Sequence, residues 1–212
     1  MPPILPCSHR WARRSLPAWL ALGVAAAAPA RAQLVVNEVD YDQPGTDTAE
    51  FIEIKNVSAV TVDLADYSVE LVNGNGGGAI VYQTIPLAPQ GTLPPGDYLV
   101  ICSNTSNVPG CDLQVSPLTN LIQNGSPDAV AIRFQGSTLI DTVSYDGVTG
   151  APYTEGPAGA PADPSALASR GISRFPDGAD TNLNAVDFIV ADITPGQVNT
   201  STPVELVGFT VE

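Results

Sequence analysis

"DAVAIRFQGSTLIDTVSYDG", residues 128–147, decides the fold class. Two apolar runs flank the turn Gln135-Gly136-Ser137. In the first run Val130, Ile132 and Phe134 share one face and Arg133 takes the other, the period of a half-buried strand. The second run, residues 138–147, is equally rich in Thr, Ile, Val and Tyr. Two such runs around a short glycine-bearing turn predict a β-hairpin.

The same grammar repeats outward from this hairpin. Residues 34–41 (LVVNEVDY) are a strand candidate. Residues 50–56 are another, with Ile52 and Ile54 on one face and Phe51, Glu53 and Lys55 on the other. Residues 62–73 hold a short strand, a turn at Ala65-Asp66, and a strand that aligns Tyr67, Val69 and Leu71. Residues 79–85 follow a glycine-rich loop, and 97–103 follow the turn Pro94-Pro95-Gly96. Residues 170–175 and 187–199 supply the closing strands. No long segment has a helical period. Short strands and frequent turns predict an all-β sandwich or barrel. Residues 147–169 are mostly Pro, Gly and Ala and read as one long surface loop.

The N-terminus reads differently. Arg10, Arg13 and Arg14 precede an apolar run at 16–28, and Ala30-Arg31-Ala32 is a small-x-small site before Gln33. Residues 1–32 are therefore read as a secretory signal peptide cleaved near Ala32, which implies a secreted chain: periplasmic, cell-surface or extracellular. Residues 33–200 are read as one domain and 201–212 as a C-terminal tail or linker. No later stretch is long or apolar enough for a transmembrane helix.

Cleavage would change the chemistry available. All 22 acidic residues lie beyond position 32, against Lys55, Arg133, Arg170 and Arg174, giving a net charge of −18. Such a surface repels phosphate backbones, so no direct nucleic-acid binding is expected. The single histidine, His9, and both tryptophans, Trp11 and Trp19, leave with the signal. A chain without histidine builds no Ser-His-Asp triad and no typical zinc site. Cys102 and Cys111 flank a Ser/Asn/Pro/Gly turn. In an oxidising compartment they are expected to form a disulfide, with two free thiols as the alternative.

Two acidic groupings are candidate sites. "PDGADTNLNAVDF", residues 176–188, spaces Asp180, Asn182 and Asn184 like the first ligands of a calcium loop. The EF-hand pattern fails, because Ala185 stands where glycine belongs and Ala191 where the bidentate Glu belongs. A looser calcium cage from Asp177, Asp180, Asn182, Asn184 and Asp187 stands beside a second reading, in which Asp and Asn only cap turns. The other grouping is Glu38, Asp40, Asp42, Asp47, Glu50 and Glu53. It reads as solvated edge charge that discourages sheet-to-sheet pairing. Calcium binding is the runner-up for this grouping too, and a carboxylate-dependent hydrolase, the lesser alternative, needs two carboxyls facing across a cleft. No other catalytic or cofactor-binding residue is expected.

Several stretches, in order, resemble the lamin tail domain in its bacterial secreted form. "VVNEVDYDQPGTDTAEFIEIKN" is similar to its opening, with Asn37-Glu38, then Glu50, Phe51 and Glu53, then Asn56. "VDLADYSVELVNGNGG" resembles the next unit, residues 124–147 the central hairpin, and "SRFPDGADTNLNAVDFIVADITPGQVN" the closing signature. The likeness runs over residues 34–199. It implies an immunoglobulin-like β-sandwich and a non-catalytic binding or architectural module. Bacterial members of the family occur beside extracellular nuclease and phosphatase domains and in cell-surface proteins. The expected partner is an unidentified protein or surface ligand, and the expected function is a secreted binding or structural module. The alternatives are a calcium-binding adhesin domain and an accessory module of an extracellular nuclease or phosphatase.

Overall fold

The computed structural model describes residues 33–75 and 78–201. The proposed signal peptide and residues 202–212 of the proposed tail lie outside the described residues. Among the described residues, twelve strands run in chain order: β1 (Leu34–Asp40), β2 (Phe51–Asn56), β3 (Val62–Asp63), β4 (Tyr67–Asn73), β5 (Ile80–Pro86), β6 (Thr92–Leu93), β7 (Tyr98–Cys102), β8 (Leu113–Gln114), β9 (Asp128–Phe134), β10 (Thr138–Tyr145), β11 (Arg170–Arg174) and β12 (Phe188–Asp192). One helical turn, α1 (Asn184–Asp187), precedes β12.

The strands form a six-stranded sheet, β12-β11-β1-β2-β7-β8, and a four-stranded sheet, β10-β9-β4-β5. A small ribbon, β3-β6, stands beside them. The larger sheet presents Leu34, Val36, Val39, Ile52, Ile54, Leu99, Ile101 and Ile172 to the core. Val69, Leu71, Ile85, Val130, Ile132, Val143 and Tyr145 meet them from the smaller one. Two sheets closing on one apolar layer make an immunoglobulin-like β-sandwich, as the strand pattern and the family resemblance imply. The predicted hairpin is β9–β10, paired in antiparallel register from Thr138↔Phe134 to Tyr145↔Asp128.

Two elements depart from expectation. β2 does not have a wet face, since Phe51 and Glu53 are as buried as Ile52 and Ile54. Phe51 packs into a second cluster with Val100, Cys102 and Val108 on the outside of the larger sheet. That cluster is closed by the expected Cys102–Cys111 disulfide, whose Cα atoms are 5.8 Å apart. Residues 147–169 are also more than a surface loop. Tyr153 covers Val72, Ala129 and Ala131 on the outer face of the smaller sheet, and Ala160 pairs with the end of β10 through a parallel bridge at Tyr145. The segment is a strap. Its Pro/Gly/Ala composition gives no period because it holds on through single residues.

A β-bulge in β1 positions the polar residues. Val36 pairs with Ile54 and Glu38 with Glu53, which leaves Asn37 as the extra residue. The bulge lets Val36 and Val39 both face the core while Asn37 and Glu38 turn to the other side. A second bulge in β10, between Leu139 and Asp141, sets the Asp141 carboxyl against β1.

Candidate functional site

The polar residues of the closing signature gather where β11 leaves β1. Backbone pairing of these strands covers Glu38↔Ser173 and Val39↔Ile172. Side chains then serve Val36. Its N–H donates to Asp141 Oδ2 at 2.6 Å, and its carbonyl accepts from Arg174 Nε at 2.7 Å. Arg174 is fully buried. Its Nη2 donates to both oxygens of Asp141 (2.8 and 2.9 Å), while Nη1 reaches Asp187 Oδ2 at 3.1 Å and donates to the Ala179 carbonyl at 3.0 Å. The guanidinium stacks over the Phe188 ring, 4.7 Å from the centroid. Donors spread in one plane over Nε, Nη1 and Nη2, each with its own acceptor, suit arginine alone among the cationic side chains.

The five candidate calcium ligands divide among separate duties. Asp180 and Asp187 converge on Arg174. Asp180 Oδ1 also accepts the Asn182 N–H at 2.9 Å, and Asp187 accepts the Thr181 N–H and hydroxyl at 2.9 and 2.6 Å. Asn184 turns to β10, taking the Ser144 N–H at 3.1 Å and donating to the Thr142 carbonyl at 2.8 Å. Its amide thus pairs with the edge of β10 as a backbone peptide would. Asp177 sits elsewhere. It ion-pairs with Lys55 and accepts from Tyr98 at 2.9 Å and Asn37 at 2.9 Å, and these donors hold its proton affinity below the usual carboxylate range. Asn182, at φ 58°, occupies the left-handed turn position that asparagine tolerates. Asp180 thus makes an Asx turn to Asn182 and Asp187 holds the Thr181 amide, bonds of the kind the second sequence reading describes.

Among the described residues, three carboxylates lie close enough to share a metal ion: Asp141, Glu155 and Asp180, with ligand oxygens within 4.8 Å of one another. Only Asp180 belongs to the predicted set. Arg174 already pairs with Asp141 and Asp180, so a positive charge stands where a metal would bind. Glu155 faces Asp141 and Asp180. Burial first, then those like charges, push its carboxyl up to about 8.

The second acidic grouping corrects its own reading. Glu38, Asp40, Glu50 and Glu53 are not solvated edge charge but fully buried. Each serves donors that the sheets leave unpaired. Glu38 accepts Ser173 Oγ at 2.9 Å and the Thr194 N–H at 3.0 Å. Glu50 takes the N–H groups of Leu121 and Ile122, both at 2.7 Å. Glu53 takes Asn37 Nδ2 at 2.8 Å and the Gly196 N–H at 2.6 Å. Desolvation outweighs these bonds and raises Glu38 to about 7, Glu50 to about 7 and Glu53 to about 8. Asn199 completes the set by donating to the Asn37 and Arg174 carbonyls at 3.0 and 3.2 Å. The first strand is thereby pinned to β11 and to the chain that follows β12.

Arg174 and Asp141 were missed as partners by sequence reasoning. The signals were an arginine among only four cations beyond residue 32 and a lone Asp inside the apolar run "LIDTV". Among the described residues the surface offers open, shallow hollows. One, of about 420 Å³, is lined by Asp47 and the amides of Asn73, Asn120, Gln123 and Asn124. Another, of about 440 Å³, is lined by Asp97, Tyr98 and Asp112 among prolines and glycines. The buried glutamates border neither.

Comparison with known proteins agrees with this architecture. No curated protein matches the chain. The sequence model of the lamin tail domain matches residues 27–147, from before β1 to the end of the central hairpin. With more than half of the sequence matched, and a sandwich carrying the expected strands, the chain belongs to the lamin tail domain family.

Proposed function

We propose that the protein is a non-catalytic, exported lamin tail domain that binds or organises a partner at its surface, in the bacterial envelope or outside the cell. One observation carries this reading: three glutamates whose proton affinity burial raises, Glu38, Glu50 and Glu53, are spent on backbone N–H groups inside the sandwich. Glu38, Glu50 and Glu53 hold Thr194, Leu121, Ile122 and Gly196 in place. A hydrolase would need such groups facing a cleft. Residues 33–212 also lack histidine. The leader at 1–32 and the Cys102–Cys111 disulfide both favour an oxidising, exported setting. A hydrolase screen on residues 33–212 tests the proposal, using phosphoester, glycoside and nucleic-acid substrates. No turnover is expected, and activity abolished by one Asp or Glu substitution overturns it.

A calcium-dependent adhesin is the second reading, favoured by the proximity of Asp141, Glu155 and Asp180. Thermal melting in millimolar calcium and then in chelator decides it. A shift below about 1 °C, worth less than about 0.5 kcal/mol for a domain of this size, eliminates the metal.

A further inference from the structure

Asp163, on the strap, reaches across to the C-terminal end of β1. Its Oδ2 accepts the N–H groups of Tyr41 and Asp42 at 2.8 and 3.2 Å, and its own N–H donates to Tyr41 Oη at 2.8 Å. Asp40 lies beside it, with Oδ1 accepting Gln43 Nε2 at 2.7 Å. One oxygen of each carboxyl is left over. Asp40 Oδ2 and Asp163 Oδ1 are both buried and receive no hydrogen from any protein donor, although the two carboxyls are within hydrogen-bonding reach of each other. Two ionised carboxylates cannot pair, and an orphaned buried oxygen costs about 1–3 kcal/mol, more when charged. One proton between them satisfies both.

Among the described residues, the neighbours named for this pair carry no positive charge. The groups facing it are acids or tyrosine: Glu38 on β1, Asp42 in the following turn, and Asp146 at the hairpin end opposite Tyr41. The cations of the described residues are engaged elsewhere, Lys55 with Asp177, Arg133 with Glu70, Arg170 with Asp192 and Arg174 with Asp141. Water is shut out on the β11 side, where a Cβ at Gly171 would lie 2.8 Å from the Val39 carbonyl and 3.3 Å from Asp40 Cβ.

We propose that Asp40 and Asp163 form a one-proton latch: a single shared proton fastens the strap to the end of β1, and its loss in alkaline medium frees the strap around Asp163. The proton is held into the neutral range because burial, followed by the facing carboxylate, raises Asp40 to about 8, while Asp163 sits at about 6. An acid raised by folding stabilises the closed strap at low pH, and that stability disappears as pH climbs through the raised value. The rest of the strap has separate anchors. Tyr153 is held by Arg133 and Glu70 at 2.9 and 3.1 Å, so opening stays local.

Hydrogen exchange of peptides spanning residues 156–169, corrected for base-catalysed intrinsic rates, tests the latch between pH 6 and 9.5. In the wild type, protection should fall by at least about tenfold, while β4 and β9 peptides keep theirs. Asp40→Asn supplies a hydrogen that cannot ionise, and its strap should show no such fall. Wild-type protection that is flat across this range, or a variant that falls as the wild type does, overturns the proposal. Should the variant not fold, carbon-detected NMR titration of the wild-type carboxyls decides. Asp40 protonated at pH 7 supports the latch, and both groups ionised by pH 5 refute it.

Discussion

Replacing Arg174 by Met tests the claim that the signature builds a fold. The side chain is fully buried and its guanidinium serves two carbonyls and the Asp141 and Asp187 carboxylates. Methionine fills much of the same volume, so the loss is electrostatic. Removing one partner of a buried pair costs about 3–5 kcal/mol, because the other charge stays behind without water. The Val36 and Ala179 carbonyls lose their donors as well, but Asp141 keeps the Val36 N–H, which limits the damage. We expect a loss of about 4 kcal/mol at pH 8, a large part of the 5–15 kcal/mol that holds a typical domain. In melting this is a drop of about 8–16 °C. Far-UV circular dichroism in urea is the suitable assay, since residues 33–212 contain no tryptophan. The decisive comparison is Arg174→Met with Asp141→Asn. Asparagine can still accept from Val36 but leaves no stranded charge, so the double variant should recover about 2 kcal/mol over Arg174→Met. A cost below about 1 kcal/mol for the single variant, or a further loss on adding Asp141→Asn, would refute the reasoning.

Stability should peak near pH 4.5–5. Glu38, Glu50 and Glu53, raised from 4.5 to between about 7 and 8, bind protons on folding, so stability declines from pH 5 to pH 8. Asp177, lowered by Lys55, Asn37 and Tyr98, removes stability as pH falls below its ordinary value of 3.8. A melting temperature that rises from pH 5 to 8 contradicts this. Gly159→Ala should cost about 2 kcal/mol or more, because its Cβ would fall 1.9 Å from the Gly147 carbonyl oxygen. Exchange protection of the strap, unchanged in the variant, would count against that close approach. Reducing Cys102–Cys111 should lower unfolding free energy by about 2–3 kcal/mol, the chain-entropy value for its short loop. Urea midpoints with and without reductant measure it, and equal midpoints dismiss the contribution.

The hairpin at β9–β10 was legible because each run alternates on its own and the turn joins neighbours. What needed distant partners was not. Glu38 looks like surface charge until Thr194, 156 residues away, offers its N–H. Glu50 looks the same until Leu121 and Ile122 turn their amides inward. Residue type biases a reader toward water, and only the third dimension supplies the donors that make burial tolerable. The strap failed for a related reason. Tyr153, Ala160 and Asp163 hold it at isolated points, and isolated contacts leave no period. The bulge at Asn37 is invisible within β1 alone, because it exists only relative to β2. For the closing run, the sequence left two readings of the same oxygens, and the guanidinium among them, Arg174, comes from four residues before Gly178 and across the turn.

The division of charge explains why the family is legible and the ligand is not. Each cation of the described residues is consumed by an acid: Lys55 by Asp177, Arg133 by Glu70, Arg170 by Asp192, Arg174 by Asp141. Exposed carboxylates such as Asp63, Asp66, Asp97 and Asp112 are left to set an acidic outer field. The buried polar set fixes which strands meet, and Asn37, Glu38 and Glu53 of that set fall within the matched residues 27–147, whereas Arg174 and Asp187 lie beyond them. The outer surface carries no comparable constraint. A search for a partner therefore starts in the hollows around Asn73 and Tyr98 and along the acidic exterior.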